Sequence, residues 1–222
     1  MSKSQDERRK GCVFVFSGPS GTGKTTLAWE VVRNVRETEF SISYTTRPPR
    51  EGEQEAIDYR FVSRAEFERR RQRGEFVEWA EVFGGRYGTR RADLERVIRA
   101  GRDIVLDIDV QGALQVRRAF AQAVLVFILP PDFESLRRRL TSRGTDRPEV
   151  ISRRLAEACS EVREALEFDY LVVNESLEDA AARLRAIVQA ERQRRFRQEA
   201  VLQQVLKSFP RSRPARRARR AG

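Results

Sequence analysis

Gly18-Pro19-Ser20-Gly21-Thr22-Gly23-Lys24-Thr25, continued by Thr26, sets glycines, a lysine and a hydroxyl at the spacing of a phosphate-cradling loop. In such a loop successive backbone N–H groups, together with the positive end of the helix that follows, face the phosphates of a nucleotide. The Lys24 ammonium reaches the outer phosphates and the Thr25 hydroxyl ligates Mg²⁺. Lysine usage sharpens the reading, because the chain has 4 Lys against 40 Arg and Lys24 is the only lysine between Gly11 and Leu206. A planar guanidinium cannot replace a compact ammonium held between two phosphates by a tight loop, so this position asks for lysine itself. The pattern implies a site for ATP or GTP.

A second constellation lies downstream: Ser43-Tyr44-Thr45-Thr46-Arg47-Pro48-Pro49-Arg50, then Tyr59, Glu78-Trp79 and Tyr87-Gly88-Thr89. Arg47 and Arg50, stiffened by the two prolines, make a fork for a phosphate, and Tyr59 and Tyr87 add hydroxyl donors. Glu78, Ser43 and Thr89 offer a carboxylate and hydroxyls. Guanine presents N1–H and N2–H₂ donors beside its O6 acceptor, which such a set matches; adenine presents the opposite pattern on that edge.

These groups need elements to hold them. Cys12 to Ser17 is an apolar run with β-branched and aromatic residues, and Thr25 to Val35 has apolar positions at helical spacing, so strand, glycine loop and helix follow in the order that a phosphate loop requires. Arg102 to Ile108, Ala123 to Leu129 and Tyr170 to Val173 read as buried strands. Phe133 to Leu140, Glu149 to Glu167 and Leu177 to about Arg197 read as helices. That alternation predicts an α/β fold with a parallel sheet covered on both faces, a three-layer αβα domain. Between Ser41 and Thr89 short strands around one helix break the pattern and predict an inserted mixed α/β lobe. Asp107 closes an apolar run at a strand's carboxyl end, where α/β folds place ligands, and could hold Mg²⁺ through water; the alternative is an ordinary polar strand end.

Composition narrows the class. The chain has 222 residues, 40% of them hydrophobic, enough for one well-filled domain with inserted lobes. Its longest purely apolar run is short of a membrane span and its first residues are charged, so the expectation is a cytoplasmic chain with no membrane partner. Two cysteines are too few for a disulfide framework, and there is no histidine to share a metal with them. The net charge of +11 belongs to the ends: 29 basic and 29 acidic residues balance between 11 and 190, whereas residues 1–10 carry +2 and 191–222 carry +9. The body is therefore not a nucleic-acid binder, and the Arg-rich tail, expected to be disordered from about 208, could adhere weakly to polyanions.

The chain resembles the guanylate kinases from about Gly11 to Gln189. The matching stretches are Ser17 to Thr25, Ser43 to Arg50, Glu75 to Trp79, Tyr87 to Thr89, Leu106-Asp-Ile-Asp-Val-Gln-Gly112 and Arg143-Gly-Thr145. The resemblance implies Mg²⁺-dependent transfer of the ATP γ-phosphate to GMP, and to dGMP. It implies that Ser43, Arg47, Arg50, Tyr59, Glu78, Tyr87, Gly88, Thr89 and Asp109 bind GMP. It also implies that Arg139, Arg143 and Arg154, in and beside a small helical lid, approach the transferring phosphates, and that Asn174 lies beside the adenine. Its domain plan is a core of residues 11–42, 90–140 and 156–190, a GMP lobe of 43–89, a lid of 141–155 and an extension of 191–222.

Other readings fit less well. A GTPase needs an Asn-Lys-x-Asp guanine reader, which a chain with no lysine between 25 and 206 cannot contain. A sugar-phosphate kinase would share the loop but not the guanine-matching set. A non-catalytic scaffold module of the same type would not need Lys24 and Thr25 intact.

Overall fold

The computed structural model describes residues 9–82, 84–142 and 147–209. Strand β1 (Val13–Ser17) is buried at all five positions and runs through the glycine loop into α1 (Lys24–Asn34). After β2 (Thr38–Phe40) the chain leaves for the inserted lobe, with β3 (Tyr44–Thr45), β4 (Arg60–Phe61), α2 (Arg64–Gln72), β5 (Phe76–Val82) and β6 (Gly85–Arg90). It returns through α3 (Arg91–Arg99), β7 (Asp103–Asp107), α4 (Val110–Ala119), β8 (Val124–Leu129), α5 (Phe133–Thr141), α6 (Pro148–Glu161), β9 (Tyr170–Val173), α7 (Leu177–Arg192) and α8 (Glu199–Ser208).

Two sheets result. The larger is parallel, ordered β2-β7-β1-β8-β9. Alternation along β1 builds its two faces. Phe14 and Phe16 join Leu27, Val31 and Leu184 from α1 and α7, while Val13 and Val15 join Leu94, Val97, Ala113 and Val116 from α3 and α4. This is the expected three-layer αβα arrangement, and burial on both faces is why the strand sequence lacks polar alternation. Each Val, Leu or Phe among them, fully removed from water, contributes roughly 1.5–3 kcal/mol.

The smaller sheet is ordered β4-β3-β6-β5 and is mixed, with β3 parallel to β4 and antiparallel to β6. Helix α2, capped by Ser63, closes it by stacking Phe67 on Phe76 at 4.6 Å between ring centroids.

Two expected helices differ in extent. The Glu149 to Glu167 segment divides into α6 and a 3₁₀ stretch at Val162–Glu167, and the Leu177 to Arg197 segment stops at Arg192, with a second 3₁₀ turn at Arg195–Arg197. The second break has a tertiary cause. Arg192 turns inward to donate from Nε to Asp103 at 2.8 Å, Asp103 also accepts from Arg9 at 2.6 Å and from the Cys12 N–H at 2.8 Å, and Arg197 donates to the Gln122 carbonyl at 2.9 Å. Arg9, Asp103, Glu191, Arg192 and Arg197 are all buried, so the Arg-rich segment drawn from residue 191 begins inside the packed body. Burial beside these charges pushes the Cys12 thiol up to about 12. The tail beyond Phe209 lies outside the described residues. No described helix is long and apolar enough to cross a membrane.

Candidate active site

β1 lies between β7 and β8, so the loop leaving β1 emerges at the carboxyl end of the sheet where the connections diverge, the place where open α/β sheets bind ligands. Gly18 has φ 133°, and a Cβ there would lie 2.3 Å from the Ile128 carbonyl oxygen, so the loop can pass β8 only as glycine. Lys24 Nζ donates to the carbonyls of Gly18 at 2.7 Å and Pro19 at 3.0 Å. Thr22 Oγ1 donates to the Pro19 carbonyl at 2.9 Å, which braces the turn from behind. No side chain caps the start of α1, so its first N–H groups point at the site without a competing acceptor, as anion binding needs.

Thr25 Oγ1 donates to Asp107 Oδ2 across 82 residues of sequence. Burial raises the Asp107 carboxyl, while Lys24 and the Thr25 hydrogen bond pull it back toward the ionised form. Two hard oxygens thus stand beside an ammonium at the loop's mouth.

The loop opens into a cleft of about 620 Å³ whose other wall is the inserted lobe. Gly18, Ser20, Gly21, Gly23, Lys24, Thr25 and Thr26 line it from the loop, Asp107 and Asp109 from the end of β7, and Ser43, Arg47, Arg50, Tyr59, Glu78 and Tyr87 from the lobe. Arg47 is held from several directions. It pairs with Glu53 at 2.7 Å, donates to the Tyr87 hydroxyl at 3.2 Å and lies over the Tyr59 ring. The Glu53 hydrogen bond raises the Arg47 pKa and lowers that of Glu53.

Glu78 is 3% exposed and sits opposite Thr89 in the β5–β6 register; the Thr89 hydroxyl is 3.5 Å from that of Ser43. Burial pushes the Glu78 carboxyl up to about 7, with hydrogen bonds from Thr89 opposing and the charge of Asp109 assisting. Asp109 serves the fold as well, capping α4 by accepting from the Gly112 N–H at 2.7 Å.

Of the remaining expected residues, Arg154 lines the cleft from α6. Pro19, Thr22, Gly88, Thr89, Arg139 and Asn174 stand behind or beside its surface. Asn174 is buried and donates to the Thr22 carbonyl at 2.7 Å, and Arg139 donates to the Asn174 carbonyl at 2.8 Å, so the two brace the phosphate loop from the β9 side. Arg139 also lines a smaller cleft with Asp132, Arg138 and Glu175. Arg143 lies outside the described residues.

The cleft contains residues that sequence reasoning passed over. Glu53 is one. On the α6 side, Arg153, Glu157, Ser160, Glu161 and Glu164 face the same space, and burial pushes Glu161 up to about 7 while Lys24 pulls it down. Positions 154, 157 and 161 share one face of α6, a period that could have been extended from Arg154.

Comparison with known proteins agrees with this geometry. The family model described as guanylate kinase matches residues 10–191. The chain is 48% identical over 197 residues to the guanylate kinase of Symbiobacterium thermophilum, spanning 89% of this chain and 93% of the relative. It is 52% identical over 180 residues to that of Dechloromonas aromatica, spanning 81% and 89%. The crystal structure of guanylate kinase from Anaplasma phagocytophilum superposes with a TM-score of 0.73 at 36% identity, covering 90% of this chain and 96% of that one. With the phosphate loop and the Glu78 lobe facing each other across one cleft, and with this similarity running through both, the chain belongs to the guanylate kinase family.

Proposed function

We propose that this protein transfers the γ-phosphate of ATP to GMP, giving ADP and GDP, in the cytoplasm, where Cys12 and Cys159 stay reduced. The observation that carries the reading is the shared cleft: a triphosphate loop forms one wall and a carboxylate, hydroxyl and arginine set suited to a guanine monophosphate forms the other. Arg47, Arg50, Tyr59 and Tyr87 take the GMP phosphate. Glu78, Ser43, Thr89 and Asp109, beside the Gly88 backbone, take the guanine. In this reading dGMP is a second acceptor, since it presents the same guanine and the same phosphate to these residues.

Phosphoryl transfer asks little covalent work of a protein, so the residues act by positioning and by neutralising charge on the transferred group. A GMP phosphate oxygen attacks the γ-phosphorus in line and ADP leaves. The nucleophile is already anionic and needs no strong base, which suits a chain without histidine. Lys24 holds the β- and γ-phosphates, Arg139, Arg143 and Arg154 meet the charge that develops, and Thr26 and Asn174 complete the ATP side.

Thr25 and Asp107 fit Mg²⁺, a hard ion that takes one or two protein oxygens and keeps water and phosphate oxygens for the rest. When bound, it would supply neutralisation of the phosphate oxygens. We also propose that the tail, whose residues 210–222 include six arginines and no acid, adheres weakly to polyanions without selecting a nucleic acid.

The test is a coupled assay of ADP release with each nucleoside monophosphate in turn, with and without Mg²⁺. Mg²⁺-dependent turnover with GMP far above AMP is expected. Equal use of AMP and GMP would overturn the reading.

A further inference from the structure

We infer that Gln115 is a positioning residue for guanine selection: its side-chain amide fixes the main chain of Trp79 and so sets where the neighbouring Glu78 carboxylate stands. The inference rests on the proposed role of Glu78 as the guanine reader.

β5 is an edge strand, with β6 on one side only. In an antiparallel ladder the N–H and C=O of one residue point to the same side, so an edge residue that turns both outward needs a partner for each. At Trp79 that partner is one side chain. The Trp79 N–H donates to Gln115 Oε1 at 3.2 Å, and Gln115 Nε2 donates to the Trp79 carbonyl at 3.0 Å. The amide supplies the pair of bonds that an adjoining strand would have made, and it comes from α4 of the larger domain.

One helical turn earlier, α4 meets Glu78 itself. A Cβ on Gly112 would lie 2.8 Å from Glu78 Oε2 and 3.3 Å from Asp109 Oδ1, so the missing side chain is the space that the carboxylate uses. Successive turns of α4 therefore address successive residues of β5, Gly112 making room for Glu78 and Gln115 holding Trp79. Gln115 does not line the cleft, so it acts through the strand and touches no substrate.

The test compares Gln115→Ala and the near-isosteric Gln115→Met, which keeps bulk without the amide, with Glu78→Gln in the full chain. Each is assayed for kcat and KM with GMP, with IMP (which lacks the N2 amine) and with ATP. Losing both bonds should raise the GMP KM roughly tenfold, leave the ATP KM within about twofold, and lower the GMP-to-IMP ratio of kcat/KM toward that of Glu78→Gln. A merely structural role would reduce activity with both acceptors alike. An unchanged GMP-to-IMP ratio in both Gln115 variants, while Glu78→Gln lowers it, would overturn the positioning role alone. If Glu78→Gln itself leaves the ratio intact, the guanine-reading role falls and this inference with it.

Discussion

Glu78 ties stability to function through one proton. Its carboxyl is pushed up from an ordinary 4.5 to about 7 in the fold, by burial first and the Asp109 charge in addition. Because the folded value is the higher one, the native state holds a proton that the unfolded chain has released between about pH 4.5 and 7. Stability therefore falls as pH rises through that window and levels off above 7. The shift corresponds to about 3 kcal/mol, so Glu78→Gln, which removes the charge and keeps the shape, should stabilise the protein by about that much at pH 8 and hardly at all at pH 4.5. For a chain of this size the gain is roughly 6–12 °C in Tm. Guanine requires the opposite state. Its donors pair with the ionised carboxylate, so GMP affinity should weaken about tenfold for each pH unit below 7 and be flat above 8. The GMP phosphate has its own ionisation at about pH 6, which acts on both proteins alike, so the ratio of wild-type to variant GMP KM across pH isolates the carboxyl. Thermal unfolding at pH 4.5 and 8, with GMP KM from pH 5.5 to 8.5, completes the test. A Tm difference independent of pH together with a flat KM ratio would refute the reasoning.

Lys24→Ala should lower kcat by roughly 10²–10³ with the Tm little changed, since the loss is of charge meeting the transferred phosphoryl group; unaltered turnover would remove Lys24 from the chemistry. Arg154→Ala should reduce kcat and kcat/KM for GMP together, and a rise in KM alone would place it in ground-state binding. Asp103→Ala strips two buried guanidiniums, those of Arg9 and Arg192, of their shared carboxylate and should cost about 3–5 kcal/mol in urea unfolding while the folded fraction keeps its kcat/KM. Truncation after Phe209 should preserve kcat/KM and lose salt-sensitive retention on heparin; a large loss of catalysis would show that the tail reaches the active site.

Adjacent residues carried what the sequence could decide. The glycine loop, Lys24 and Thr25 are consecutive, a strand and a helix with distinct periods flank them, and the Arg47–Arg50 fork and the Tyr87–Thr89 segment are each read within a few positions. Strand and helix alternation was enough for the three-layer fold, because burial on both faces leaves an apolar run that survives in one dimension. Helix ends were less legible, as at Arg192, where a contact 89 residues away and not local propensity stops α7. The same limit hid Glu53 on Arg47, the acids of α6 facing the cleft, and the Gln115 amide on Trp79, 36 residues apart. Charged and amide side chains on a helix look alike in sequence whether they meet water or a strand edge. Only chain closure, which packs α4 against β5 and sets the α6 side into the cleft beside the phosphate loop, decides which of them meets a strand edge, an ion partner or a buried wall, and so its charge state.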